Sequence, residues 1–139
     1  MTVELDFFGP EARFHHVGLA VRSIPGAEPR AESVVDPIQR VAVTFLELNG
    51  LTVELIEPHG EGSPIDRSLR NGTKLLHLCY EVPDLDVALE RCREFGLHRL
   101  GEPVPATAFD GRRIVWVYCA QYGLFELLES GNPEPRTPS

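Results

Sequence analysis

No apolar run in this sequence approaches the roughly 20 residues that a helix needs to cross a bilayer. Its first residues, Met1–Asp6, carry neither the basic nor the apolar stretch of an export signal. The expectation is a cytoplasmic protein with no membrane partner. Cysteine is scarce: Cys79, Cys92 and Cys119 are odd in number, far apart and form no C-x-x-C pair. That argues against a disulfide framework and against a thiolate zinc site. Cys79 and Cys119 lie in apolar runs and read as small core residues. Basic residues are also few. Thirteen Lys and Arg against 21 Asp and Glu leave a formal net charge of −8, a surface that repels phosphate backbones. No basic stripe interleaved with aromatics offsets it, so nucleic acid is not an expected partner.

What remains is the composition of an ordinary globular chain, 42% hydrophobic and 24% charged in 139 residues, enough for one compact domain or two small modules sharing a core. Residues 1–13 read as an N-terminal arm broken at Gly9-Pro10. The run Phe14–Val21 has the apolar content of a strand. Pro25, Pro29 and Pro37 oppose a long helix in the following crossover, which is expected to be short or irregular. Gln39–Leu48 and Leu51–Glu57 read as strands joined by Asn49-Gly50, the strongest short hairpin signal, because both central residues of a type I′ turn need positive φ. Ile65–Arg70 is expected to make one helical turn, with Ser63 as N-cap and Pro64 at the first helical position. Lys74–Val82 is a further strand. Leu85, Ala88, Leu89 and Cys92 then share one face of a helix over Leu85–Phe95, stopped by Gly96. Leu97–Leu100, Arg113–Cys119 and Leu124–Glu129 complete the strands. Residues 131–139, with three prolines and no apolar anchor, read as a disordered tail.

The second half repeats the first. His16-Val-Gly-Leu-Ala-Val21 is matched by His77-Leu-Cys-Tyr-Glu-Val82, each with a histidine five residues before a valine. Val53-Glu-Leu-Ile-Glu57 is matched by Phe125-Glu-Leu-Leu-Glu129. Each half therefore offers one imidazole from its opening strand and one carboxylate from its closing strand, in modules of about 14–57 and 74–129 within a domain of 14–130. Glu54 and Glu126 stand between apolar neighbours, where an ionised carboxylate is expensive unless paired or metal-bound. Two imidazoles and two carboxylates, His16, Glu54, His77 and Glu126, suit one divalent cation such as Zn, Co, Ni, Mn or Fe. His15 is expected on the opposite face from His16, and His59 and His98 on the surface.

At these residues the sequence resembles the vicinal-oxygen-chelate superfamily of glyoxalases, bleomycin-resistance proteins and dioxygenases, over about residues 14–129. The resemblance is nearest to methylmalonyl-CoA epimerase-like members, through Val53-Glu-Leu-Ile-Glu-Pro58, Gly62-Ser-Pro-Ile65, Tyr80-Glu-Val-Pro-Asp-Leu85 and Gly111-Arg-Arg-Ile114. It implies an α+β fold, two βαβββ modules forming an open half-barrel mixed sheet around the metal, with the first crossover helix shortened. It also implies His16, Glu54, His77 and Glu126 as ligands, Glu54 being the glyoxalase-like choice where some epimerases have glutamine. Ile38 stands where that family places an acidic base.

The expected activity is a metal-dependent isomerase, epimerase or lyase that removes the proton next to a carbonyl of a small acyl thioester or oxo acid. Glu126 is the candidate base, with Asp36 and Asp110 behind it. Gln39 and Tyr118 are candidates to orient substrate, and Arg112 or Arg113 to hold an anionic or CoA-linked part of it. The competing readings are a small-molecule binding or self-resistance protein of the same fold and, third, an Fe(II) oxygenase. Open half-barrels leave edges to cover, so a homodimer is expected.

Overall fold

Asn49 and Gly50 take φ of 48° and 88°, so the N-G pair turns the chain back on itself as its chemistry requires. The computed structural model describes residues 1–131. Its elements in chain order are β1 (Arg13–Ala20), α1 (Ile24–Ala27), β2 (Val34–Asp36), β3 (Val41–Leu48), β4 (Leu51–Pro58), α2 (Asp66–Arg70), β5 (Leu75–Val82), α3 (Leu85–Glu94), β6 (His98–Arg99), β7 (Val104–Pro105), β8 (Arg113–Cys119) and β9 (Gly123–Glu129). A 3-10 turn, Thr107–Phe109, precedes β8. The expected tail lies, from residue 132 onward, outside the described residues.

The strands form one open mixed sheet in the order β2-β3-β4-β1-β5-β9-β8-β6, with β7 also pairing on β8. Each half has the same internal wiring. The opening strand runs parallel to the closing strand, β1 to β4 and β5 to β9, and each closing strand pairs antiparallel with the strand before it. The halves meet where β1 and β5 run antiparallel at the centre. This is the α+β architecture of two modules in an open half-barrel that the resemblance implies. α1 is four residues long, capped by Ser23, whose Oγ accepts from Gly26 N at 3.1 Å. The prolines leave nothing longer there.

Alternation along the strands separates two faces. On one, Ala42, Val53 and Leu55 pack under Ile24 of α1, while Val115, Val117 and Leu127 pack under Leu85, Ala88, Leu89 and Cys92 of α3. Asp84 caps α3 by accepting from Asp86 N and Val87 N. On the other face lie Val41, Val43, Ile56, Ile114 and Leu128, and Glu54 and Glu126 share that face with them.

Several sequence expectations are corrected. Ser63 does not cap α2 with its side chain. The helix begins at Asp66, the N-cap position is Ile65 in αR geometry, and Ser63 offers only its carbonyl, to Asp66 N at 3.1 Å. β3 starts at Val41 rather than Gln39, because Gln39 and Arg40 are in a turn and Arg40 adopts φ of 56°. β2 and β7 escaped detection because runs of three and two residues carry no readable alternation. No helix among the described residues is long and apolar enough to cross a membrane.

Candidate metal centre

Strand register brings the four symmetry-related residues to one point. Across β1 and β5, His16 pairs with Cys79 and Gly18 with His77. Across the parallel pairs, Gly18 faces Glu54 and Cys79 faces Glu126. In each half the glutamate thus sits beside the residue two after the histidine, on the histidine's own face. His16 Nε2 lies 3.2 Å from Glu54 Oε1 and 3.3 Å from Glu126 Oε1. His77 Nε2 lies 3.6 and 3.4 Å from the same two oxygens, and the two imidazole Nε2 atoms are 3.3 Å apart. All four side chains are buried, none more than 5% exposed.

Two carboxylates this close and this dry demand positive charge between them. Burial alone would depress His16, yet Glu126 and Glu54 outweigh it and hold the imidazole at about 9. Burial pushes Glu54 up. For Glu126 burial acts the same way, but the imidazoles of His16 and His77 overcome it and hold the carboxyl at about 2. Glu126 Oε1 is nonetheless buried with no aligned hydrogen-bond donor. One donor atom from each residue falls within 4.8 Å of every other. An orphaned carboxylate oxygen among converging nitrogen and oxygen donors fits a divalent cation, whose double charge two carboxylates would offset.

Glu54, His77 and Glu126 form the floor of a cavity of about 250 Å³, and His16, which meets them, is fully buried. Its walls are largely apolar, including Val43, Ile65, Leu76, Phe109 and Trp116, with Asp36, Gln39 and Ser68 as polar exceptions. Gln39 Oε1 accepts from Trp116 Nε1 at 3.0 Å, and Gln39 Nε2 donates to Asp36 Oδ2 at 3.3 Å. The Trp116 ring stands edge-on to His77, centroids 4.8 Å apart.

Not every sequence candidate reaches the site. Arg112 Nη1 donates to Glu81 Oε2 at 2.9 Å and its guanidinium lies over the Phe109 ring. Arg113 forks onto Glu129 at 3.1 and 2.9 Å. Neither lines the cavity, because each already neutralises a glutamate of its own sheet. Tyr118 is 45% exposed near the far end of β8 and lies outside the cavity lining. Asp110, at φ of 56° just after the 3-10 turn, is exposed. His59 and His98 are exposed as expected, but His15 is not on the opposite face: its Nδ1 is 2.8 Å from His16 Nδ1. Sequence reasoning missed Gly18 and Trp116. Both had a signal in strand parity, Gly18 two residues after His16 and Trp116 opposite Glu126 in the hairpin.

Two like half-sheets meeting over a paired His–Glu floor define a glyoxalase-type protein. The model of the Glyoxalase/Bleomycin resistance protein/Dioxygenase superfamily matches residues 15–116, and the chain belongs to that superfamily. Over 117 residues it is 30% identical to the ethylmalonyl-CoA/methylmalonyl-CoA epimerase of Cereibacter sphaeroides, covering 76% of this chain and 87% of that one. The crystal structure of methylmalonyl-CoA epimerase from Mycobacterium tuberculosis superposes with a TM-score of 0.71 at 24% identity, covering 85% of this chain and 87% of that one. A methylmalonyl-CoA epimerase in complex with methylmalonyl-CoA and NH4+ gives 0.69 at 23% identity, covering 88% and 97%. At these identities the two structures speak for the fold.

Proposed function

We propose that this chain is a divalent-metal-dependent epimerase that exchanges the proton α to the thioester carbonyl of a small 2-substituted acyl-CoA. The observation that carries the reading is the convergence of His16, Glu54, His77 and Glu126, three of which line the apolar cavity, in a chain whose relative at 30% identity is an ethylmalonyl-CoA/methylmalonyl-CoA epimerase. These four residues would hold the cation, with Zn, Co, Ni, Mn and Fe as the candidate ions. When bound, it would supply a Lewis acid that stabilises negative charge developing on the thioester oxygen.

The chain's own groups supply the rest. Glu126, with one oxygen lacking an aligned donor, would take the α-proton and return it. Gln39, held between Asp36 and Trp116, keeps a second amide N–H for a substrate oxygen. The apolar walls exclude water, which strengthens every charge interaction on the floor. The free, buried thiols of Cys79, Cys92 and Cys119 suit a reducing cytoplasm. The exposed apolar side chains of edge strand β2, Val34 and Val35, suit coverage by a second copy.

The reading is tested by incubating the purified chain with one epimer of methylmalonyl-CoA or ethylmalonyl-CoA in D₂O. Deuterium should enter the α-carbon as the epimers equilibrate, stop with chelator, and resume with Co, Mn, Ni or Zn. No exchange above the uncatalysed background, with any of these ions and across a panel of 2-substituted acyl thioesters, would overturn it.

Acidity adds a second expectation. His16 is raised above its ordinary 6.5 to about 9 in the cation-free chain, so below that pH a cation must displace a proton to bind. Apparent affinity should fall about tenfold per unit as pH drops from 9 toward neutrality. Without cation the sign reverses. The imidazolium's contribution to stability is fully present below about 6.5 and lost as pH rises through about 9. Competition with a chromophoric chelator, and thermal melts in chelator from pH 6 to 10, read the two trends. Two flat profiles would contradict them.

A further inference from the structure

Neighbouring side chains of a regular strand stand on opposite faces, which would put His15 behind the sheet. The pairing of β1 with β5 prevents this. Phe14 pairs with Tyr80 and His16 with the very next residue, Cys79, so His15 is an extra, unpaired residue in β1. A bulge of this kind re-aims the side chain it inserts. His15 accordingly brings its Nδ1 to 2.8 Å from His16 Nδ1, with the rings crossed at 81°. It is half-buried and stands edge-on to Phe109 at 5.6 Å, while Phe109 stacks on His16 at 5.9 Å and 26°. A second irregularity follows in the mirror position. Gly18 pairs with His77 but Leu19 with Leu75, which leaves Leu76 over. The residue before each histidine is thus bulged, and only the first half uses a polar one.

We infer that His15 is a positioning residue for His16, acting as the acceptor that fixes the proton of His16 on Nδ1 and leaves its Nε2 lone pair facing Glu54 and Glu126. This rests on the metal reading proposed above. A neutral imidazole has one N–H and one lone pair. For Nε2 to bind a cation, the proton must be on Nδ1, and the only direction left for the 2.8 Å contact is from His16 to His15. His15 then carries its own proton on Nε2. Outer partners of this type hold the ring's orientation and raise the ligand's basicity, and their loss typically lowers metal affinity by about 10–100-fold. Here the partner is a second imidazole delivered by a bulge.

The test uses the full chain loaded with Co(II). His15→Phe keeps a ring against Phe109 but removes the acceptor; His15→Gln restores an acceptor oxygen on a flexible side chain. His15→Phe is expected to weaken Co(II) binding by about 10–100-fold and to shift the Co(II) d–d absorption, while His15→Gln recovers most of both. In the Zn-loaded wild type, nitrogen-resolved NMR should find the His16 proton on Nδ1. If His15→Phe, folded by circular dichroism, binds Co(II) with wild-type affinity and an unchanged spectrum, the positioning role falls and the metal reading stands. If His15→Gln is as weak as His15→Phe, restoring an acceptor restores nothing and the hydrogen-bond assignment is overturned. If the wild type itself binds no Co(II), the metal reading fails and carries this inference with it.

Discussion

Glu126→Gln is expected to leave a folded protein that no longer binds a divalent cation tightly and no longer exchanges an α-proton. Glutamine keeps the shape but halves the negative charge that would offset the cation, and it removes the carboxylate that lies 3.3 and 3.4 Å from the two imidazole nitrogens. Loss of an outer partner alone lowers metal affinity by about 10–100-fold, so loss of a charged inner donor should exceed the upper end of that range. The cation-free fold should survive, because Leu127 and Leu128, which follow it in β9, stay fully buried and the hydrogen bonds of β9 use backbone. Chelator competition with Co or Zn measures the first effect, and the D₂O exchange assay the second. A variant that loads to the wild-type level with similar affinity would remove Glu126 from the ligand set.

Gly18→Ala should be almost as damaging through a single added carbon. Gly18 faces His77 across the centre of the sheet, and a Cβ there would sit 2.7 Å from His77 Nε2, 2.5 Å from Nδ1 and closer still to Cε1. The ring lies on the glycine. Backbone strain is not the issue, since Gly18 has none of the positive φ found at Gly50 or Gly96. Alanine would force the imidazole out of line with Glu54 and Glu126. Overpacking of this kind costs about 1–3 kcal/mol, and a displaced ligand should weaken metal binding by at least the roughly 100-fold named above. A cycle with His77→Ala separates the two effects. Added to His77→Ala, Gly18→Ala should no longer destabilise in chelator, because the ring it collides with is gone, yet metal binding should not return. Melting temperatures and chelator competition on the four proteins decide it. A Gly18→Ala variant with wild-type stability and affinity would show that His77 moves aside at no cost.

Most of the architecture was legible because it depends on local chemistry. Asn49-Gly50 dictates a turn wherever it occurs between strands. The spacing of Leu85, Ala88, Leu89 and Cys92 makes a helix face that must be covered by another element. The prolines around α1 forbid a longer helix whatever surrounds them. The half-repeat carried further, because two copies of one module bury equivalent residues in equivalent places, so a histidine and a glutamate in each copy were already four residues with one destination.

What stayed illegible depends on partners distant in the chain. Arg112 and Arg113 look free in a basic dipeptide, and only the neighbouring strands bring Glu81 and Glu129 to neutralise them. Tyr118 has the parity of Trp116 but lies two pairs nearer the turn between β8 and β9. Asp36 reaches the cavity through a three-residue edge strand too short to announce itself. His15 turns inward because β1 carries one residue more than β5 can pair, a count that exists only between two strands. Residue order by itself determined which side chains are chemically able to form the centre, since apolar surroundings and repetition are written in the chain. Only the tertiary structure decided which of them meet, because register, bulges and ion pairs are properties of two segments at once.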